Sequence, residues 1–197
     1  LLIHGGPTSQ FVDDYQPYVQ FFVEQGYVVL LPNIRGSSGY GKVFEELNNR
    51  DWGGDDLRDA IAGAEFLKTL DYVNPQSIGI TGTSYGGILT MCAVSFAPGV
   101  FQAAVPMSGY SNWPMLRNVL ELRHLRFLEH EFGPYDGNED VWHRCSAFYK
   151  VADATTPTFV LHGTGRELWT ETSQDFAVEM ARLYKTVEYK VYDNDGF

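Results

Sequence analysis

The sequence predicts an α/β fold: a mostly parallel sheet with helices on both faces, incomplete at both ends. Three observations predict it. Apolar strand-like runs alternate with helical patterns along the chain. The run Tyr27 to Leu31 (YVVLL) is apolar throughout, as expected of a strand buried on both faces of a parallel sheet. Glycine and proline separate the runs, at Gly5-Gly6-Pro7, Asn74-Pro75 and Pro98-Gly99.

The elements follow in order. Leu1 to His4 reads as a short strand. Tyr15 to Gln25 has helical apolar spacing, with Gly26 as its stop. Asn33 to Gly41 (NIRGSSGYG) is turn chemistry. Asp55 to Leu70 reads as a helix whose apolar stripe is Leu57, Ala60, Ile61, Ala64, Phe66 and Leu67. Ser77 to Thr81 is a strand and Gly87 to Phe96 a helix. Phe101 to Met107 and Pro157 to His162 are strands. Thr170 to Tyr184 is a helix with Phe176, Val178, Met180 and Leu183 facing inward, and Val187 to Tyr192 is the last strand. Residues 108–154 interrupt this rhythm with aromatics, histidines and charge. They read as an excursion above the sheet within one domain spanning 1–197.

Composition sets limits. A chain of 197 residues, 44% hydrophobic, can bury one substantial core. Its net charge of −11 opposes binding to phosphate backbones, so no nucleic-acid partner is expected. No apolar stretch approaches the ~18 residues of a spanning helix. The chain begins without Met inside a strand-like run and reads as an excerpt of a longer protein. Cys92 and Cys145 are too few for a disulfide scaffold and read as buried or free thiols. The histidines and carboxylates lack metal-ligand spacing, so no metal and no cofactor are expected.

Gly82-Thr83-Ser84-Tyr85-Gly86 carries the chemistry. It has the form G-x-S-x-G and sits between a predicted strand and a predicted helix. A sharp turn there strains the serine backbone and exposes Oγ. The flanking glycines remove side chains that would clash. The helix N-terminus behind it supplies a positive end and free N–H groups for a developing oxyanion.

The sequence resembles the prolyl oligopeptidase family of serine peptidases, which includes dipeptidyl-peptidase-like and acylaminoacyl-peptidase-like enzymes. The resemblance rests on ordered motifs: His4-Gly5-Gly6-Pro7, Gly26-Tyr27-Val28-Val29 with Asn33 to Gly41, Trp52-Gly53 with Asp56 and Asp59, Gly82 to Gly87, and Leu161-His162-Gly163 with Val191-Tyr192. It implies an α/β-hydrolase fold, a short-peptide substrate and a separate N-terminal propeller in the full-length protein. It implies Ser84 as the acyl-forming nucleophile, with the Tyr85 N–H and the Gly6 N–H as oxyanion donors. Tyr110 and Trp113 fall where relatives line the specificity pocket, and they read equally well as core aromatics. His4 and Arg35 read as structural anchors of their loops.

The resemblance breaks at the other triad members. The acid position holds Arg166, with Glu167 next to it as a possible substitute. The His position holds Phe197. A cation ~4 Å from a forming imidazolium costs on the order of 4 kcal/mol at a near-surface dielectric. Of the remaining histidines, His124, His130 and His143 fall in the excursion, in exposed or structural roles, and His162 ends a strand. None is assigned as base. Three readings stay open: a serine peptidase, a carboxylesterase on the same fold, and an inactive peptide-binding member.

Overall fold

The structure is a computed structural model describing residues 1–118, 120–163 and 167–193, with only the backbone described for 167–171. Five strands, β1 (Leu2–Ile3), β2 (Gly79–Thr83), β3 (Ala103–Met107), β4 (Thr158–Gly163) and β5 (Val187–Tyr192), form one parallel sheet in sequential order. The register runs from Leu2 opposite Thr81, through Gly79 opposite Ala103 and Ala104 opposite Thr158, to Thr158 opposite Val187.

Sequential order decides where the helices go. Right-handed crossovers between neighbouring parallel strands all return over the same face. Accordingly α4 (Tyr85–Phe96) packs on β1, β2 and β3, α8 (Glu167–Arg182) packs on β4 and β5, and α3 (Asp55–Lys68) packs on α4. The second face carries α1 (Pro17–Glu24), whose Tyr18 and Phe22 line a cavity of about 440 Å³ with Gly79, Thr81, Ala103 and Val105. Helices thus lie on both faces, unequally. Between Asn33 and Trp52 the chain makes one short helix, α2 (Lys42–Glu45).

Helix α4 is apolar all round, which suits a helix enclosed on every side. Every residue from Tyr85 to Ser95 is buried. Residues between β3 and β4 form α5 (Trp113–Arg117), α6 (Leu122–Phe132), α7 (Glu139–Arg144) and a 3-10 helix (Ala147–Asp153) that packs on α4 and α8. Trp113, Phe132 and Trp142 from this stretch join the sheet's own core in one cluster with Trp52 and Tyr85. Cys92 and Cys145 are buried, free thiols. Among the described residues no helix is long and apolar enough to cross a membrane.

Three sequence expectations are corrected here. Residues 27–31 form no strand. They lie beside β1 through one hydrogen bond, Leu2 N–H to the Leu30 carbonyl at 3.0 Å, and Tyr27 is 61% exposed. An apolar run gives strand propensity, but a ladder also needs a partner in register on at least one edge. Phe66 points to solvent, 54% exposed, because the stripe of α3 that meets α4 runs through Leu57, Ala60, Ala64 and Leu67. Val178 is likewise exposed, while Phe176 and Met180 are buried.

Arg35 anchors its glycine-rich loop to α3. Its Nε and Nη2 donate to the Asp59 carboxylate at 2.8 Å each, and Nη1 donates to Asp55 at 2.8 Å. Burial opposes the charge on Asp59, but the Arg35 hydrogen bonds and cation hold its carboxyl below the ordinary value. Replacing Arg35 by Ala is expected to lower stability by about 1–2 kcal/mol, discounted for partial exposure. A Lys there recovers only part of this, because it lacks the planar fork. Urea unfolding of the two variants measures both.

Candidate active site

Ser84 sits between the end of β2 and the start of α4 with φ 60° and ψ −118°. A non-glycine residue in that region persists only where its surroundings over-determine it. Here the Ser84 N–H donates to the Met107 carbonyl at 3.0 Å, and its own carbonyl accepts the Ile88 N–H at 2.9 Å. The glycines explain how the turn closes. A Cβ on Gly86 would lie 2.2 Å from the Ile3 carbonyl oxygen, and one on Gly87 would lie 2.3 Å from that of Met107. The first turn of α4 is therefore pressed between the backbones of β1 and β3.

Tyr85 opens α4, so its N–H belongs to the helix-terminal donors that have no intrahelical acceptor. Gly6 lies opposite, in the turn after β1, with φ 133°. The His4 ring braces that turn. Nδ1 lies 2.7 Å from the Gly5 carbonyl oxygen, and Nε2 lies 2.8 Å from the oxygen of the Ser37 hydroxyl, which itself donates to the Ile34 carbonyl at 2.6 Å. Burial holds the His4 pKa below its usual value, against the pull of the Gly5 hydrogen bond. His4 thus ties the turn to the glycine-rich loop and has no ring nitrogen left for proton transfer.

Ser84, Tyr85, Gly6, Tyr110 and Trp113 line one cavity of about 160 Å³. The sequence named all five. Trp113 serves both readings at once. It is 2% exposed, its indole N–H donates to the Cys145 carbonyl at 2.8 Å, and its ring meets that of Trp52 at 5.3 Å, yet one edge reaches the cavity. Tyr110 packs against it with ring centroids 6.2 Å apart.

The rest of the wall comes from Trp52, which the sequence marked only as part of a motif, His124, and Ile88, Leu120, Phe127 and Leu128, which the sequence did not single out. Half of these, His124, Phe127 and Leu128, lie on α6, whose direction over the elbow has no local sequence signal. The apolar spacing of Leu125, Leu128 and Phe132 marks a helix face but not what that face meets. His124 lines the cavity, with Nδ1 4.0 Å from the Glu121 carboxylate.

His162 is committed elsewhere. It is buried at the end of β4, and Nδ1 lies 2.8 Å from the hydroxyl of Ser173, which donates to the Gly109 carbonyl at 2.5 Å. Burial lowers its pKa. Arg166 and Phe197 lie outside the described residues, as does the Glu167 side chain. Among the described residues no group of three or more metal-ligating side chains comes together.

Comparison with known proteins agrees with this geometry. The chain is 34% identical over 167 residues to an uncharacterized peptidase, YuxL, of Bacillus subtilis, covering 83% of this chain and 25% of that one. It is 40% identical over 115 residues to dipeptidyl aminopeptidase BIII of Pseudoxanthomonas mexicana, covering 57% and 16%. The solved puromycin-hydrolyzing peptidase of Mycobacterium tuberculosis superposes on all of this chain and 31% of its own, at 28% identity and a TM-score of 0.91, and shares the α/β-hydrolase fold. The chain spans about a quarter of the length of the curated relatives it matches. Residues 14–196 match the model of the prolyl oligopeptidase family, and the chain belongs to that family.

Proposed function

We propose that this chain is the nucleophile-bearing part of a serine peptidase that hydrolyses short peptides through an acyl-enzyme on Ser84. The observation that carries the reading is the strained Ser84, held at a strand-to-helix turn and lining one cavity with Tyr85 and Gly6. Ser84 Oγ attacks the scissile carbonyl carbon and gives its proton to a general base. The Tyr85 and Gly6 N–H groups take the developing oxyanion. The tetrahedral intermediate collapses as the amine leaves with that proton, and water then hydrolyses the ester to free Ser84.

The apolar cavity has room for one substrate side chain, and Tyr110 and Trp113 form part of its wall. Short peptides also fit the relatives, several of which are named dipeptidyl peptidases. We read residues 108–154 as part of the same domain, since their aromatics share its core. A propeller elsewhere in the full-length protein would serve as the size filter.

A fluorophosphonate reagent tests the reading, with intact mass as readout and Ser84→Ala as control. One adduct per chain, absent from the variant, is the expected result. A folded chain that takes up no reagent would sink it. The inactive peptide-binding reading would then be tested by peptide binding that Ser84→Ala leaves unchanged. Faster turnover of short acyl esters than of peptide amides by a labelled chain would point to a carboxylesterase.

A further inference from the structure

Behind the elbow lies a buried polar chain that acyl transfer leaves unused. Asp56, the second residue of α3, is fully buried, as are Tyr85 and Asn48. Its Oδ1 accepts the N–H of Gly53 at 2.8 Å and its own neighbour's, that of Leu57, at 2.7 Å. Its Oδ2 accepts the Tyr85 hydroxyl, whose oxygen in turn accepts Asn48 Nδ2–H at 3.0 Å. Trp52 meets the Tyr85 ring edge-on, with centroids 5.0 Å apart.

A phenylalanine would fill the same space as Tyr85 without carrying a hydroxyl into the core. Matching that hydroxyl with a buried carboxylate costs desolvation and adds no packing. What the arrangement provides is orientation. The ring is held at its tip by Asp56 and on its edge by Trp52, and the backbone of this residue is half of the elbow. We infer that Asp56 is a positioning residue of the oxyanion hole: by holding the Tyr85 hydroxyl it fixes the Tyr85 N–H beside Ser84. The inference rests on the acyl-transfer reading for its consequence, but not for its geometry.

The tether has two states. Ionised, Asp56 accepts all three donors, and its hydrogen bond from the hydroxyl is charge-assisted. Neutral, it carries its own O–H, and the hydroxyl is held less tightly. Burial pushes the carboxyl up to about 7, against the pull of the Tyr85, Leu57 and Gly53 hydrogen bonds, and the charge of Asp51 adds to the rise. The other titratable groups coupled to it are Tyr85 and Cys92 on α4, Cys145 after α7 and the Arg35 guanidinium, a cation throughout. Burial drives the first two well above their ordinary values and Cys145 to about 12, so all three stay protonated near neutrality. The grip on Tyr85 therefore tightens as pH rises through about 7.

Two readouts on the whole chain test this with Asp56→Asn and Tyr85→Phe. In ¹H–¹⁵N NMR, the Tyr85 and Gly86 amides of the wild type are expected to shift with a midpoint near pH 7, and this titration is expected to vanish in both variants. In fluorophosphonate labelling, each variant is expected to acylate about tenfold more slowly at saturating reagent, with unchanged affinity for the reagent. The double variant should be no slower than the slower single one, because both act through one link. Amides that do not titrate, or that titrate alike in all three proteins, overturn the inference whether or not Ser84 reacts. Titrating amides in a wild type that takes no label uphold the tether and overturn the acyl-transfer reading instead. Should Asp56→Asn fail to fold, Tyr85→Phe decides alone, since it keeps the ring and removes only the hydroxyl.

Discussion

An alanine at Gly86 is expected to destabilise the chain by about 3 kcal/mol or more and to abolish labelling of Ser84. The added methyl would lie 2.2 Å from the Ile3 carbonyl oxygen, 2.9 Å from its carbon and 3.1 Å from the His4 carbonyl oxygen. All three are backbone atoms, so no side chain can swing away. Relief requires α4 to move off β1, and α4 is the most enclosed helix of the core. Overpacking usually costs about 1–3 kcal/mol where side chains adjust. Here the ladder between β1 and β2 would have to adjust, and it is short. Net stabilities run from about 5 to 15 kcal/mol, so the loss takes a large share. Urea unfolding gives the stability and intact mass the labelling. A variant as stable as the wild type would show that the close approach of α4 to β1 is not required.

Acid is expected to stabilise the wild type relative to Asp56→Asn, by up to about 4 kcal/mol between pH 7 and pH 4. The sign follows from burial. The folded carboxyl titrates at about 7 against 3.8 for the free group, so the folded state binds the proton more tightly. Below the unfolded value both states are protonated and the group's contribution is complete. It is lost as pH rises toward 7, and above 7 the penalty is constant. The Asn variant has no such proton, so the difference between the two curves isolates this residue. Asp59, held low by Arg35, acts in the opposite direction and cancels in the difference. A gap that does not change with pH would mean that Asp56 stays ionised in the folded chain. Ionisation thus has opposite effects on fold and site: it weakens the core while tightening the tether to the oxyanion donor.

The elbow was legible in the sequence because its constraints are local. A strand, two glycines flanking a serine and an apolar helix specify a sharp turn whatever surrounds them. The strands β2 to β5 were legible for a similar reason, since turn residues bound each apolar run. Residues 27–31 show the opposite case: their composition favours a strand, but pairing is a property of two segments. The Asp56 to Tyr85 contact was also out of reach. The sequence offered a hydroxyl next to the nucleophile, in a helix too apolar to expose it, and an acid near the start of another helix. Nothing local joins residues so far apart. The motif that the resemblance supplied, Trp52-Gly53 with Asp56 and Asp59, is explained only by the fold. Trp52 and Asp56 grip Tyr85, and Asp59 grips Arg35.

Because all five strands are parallel, their carboxyl ends share one rim, the edge where open α/β sheets bind ligands. The turn holding Gly6 leaves from β1, the elbow from β2, and the segment with Tyr110 from β3. β4 and β5 end on the same rim, at Gly163 and Tyr192. The sheet therefore assigns addresses, and the side chains supply the contents.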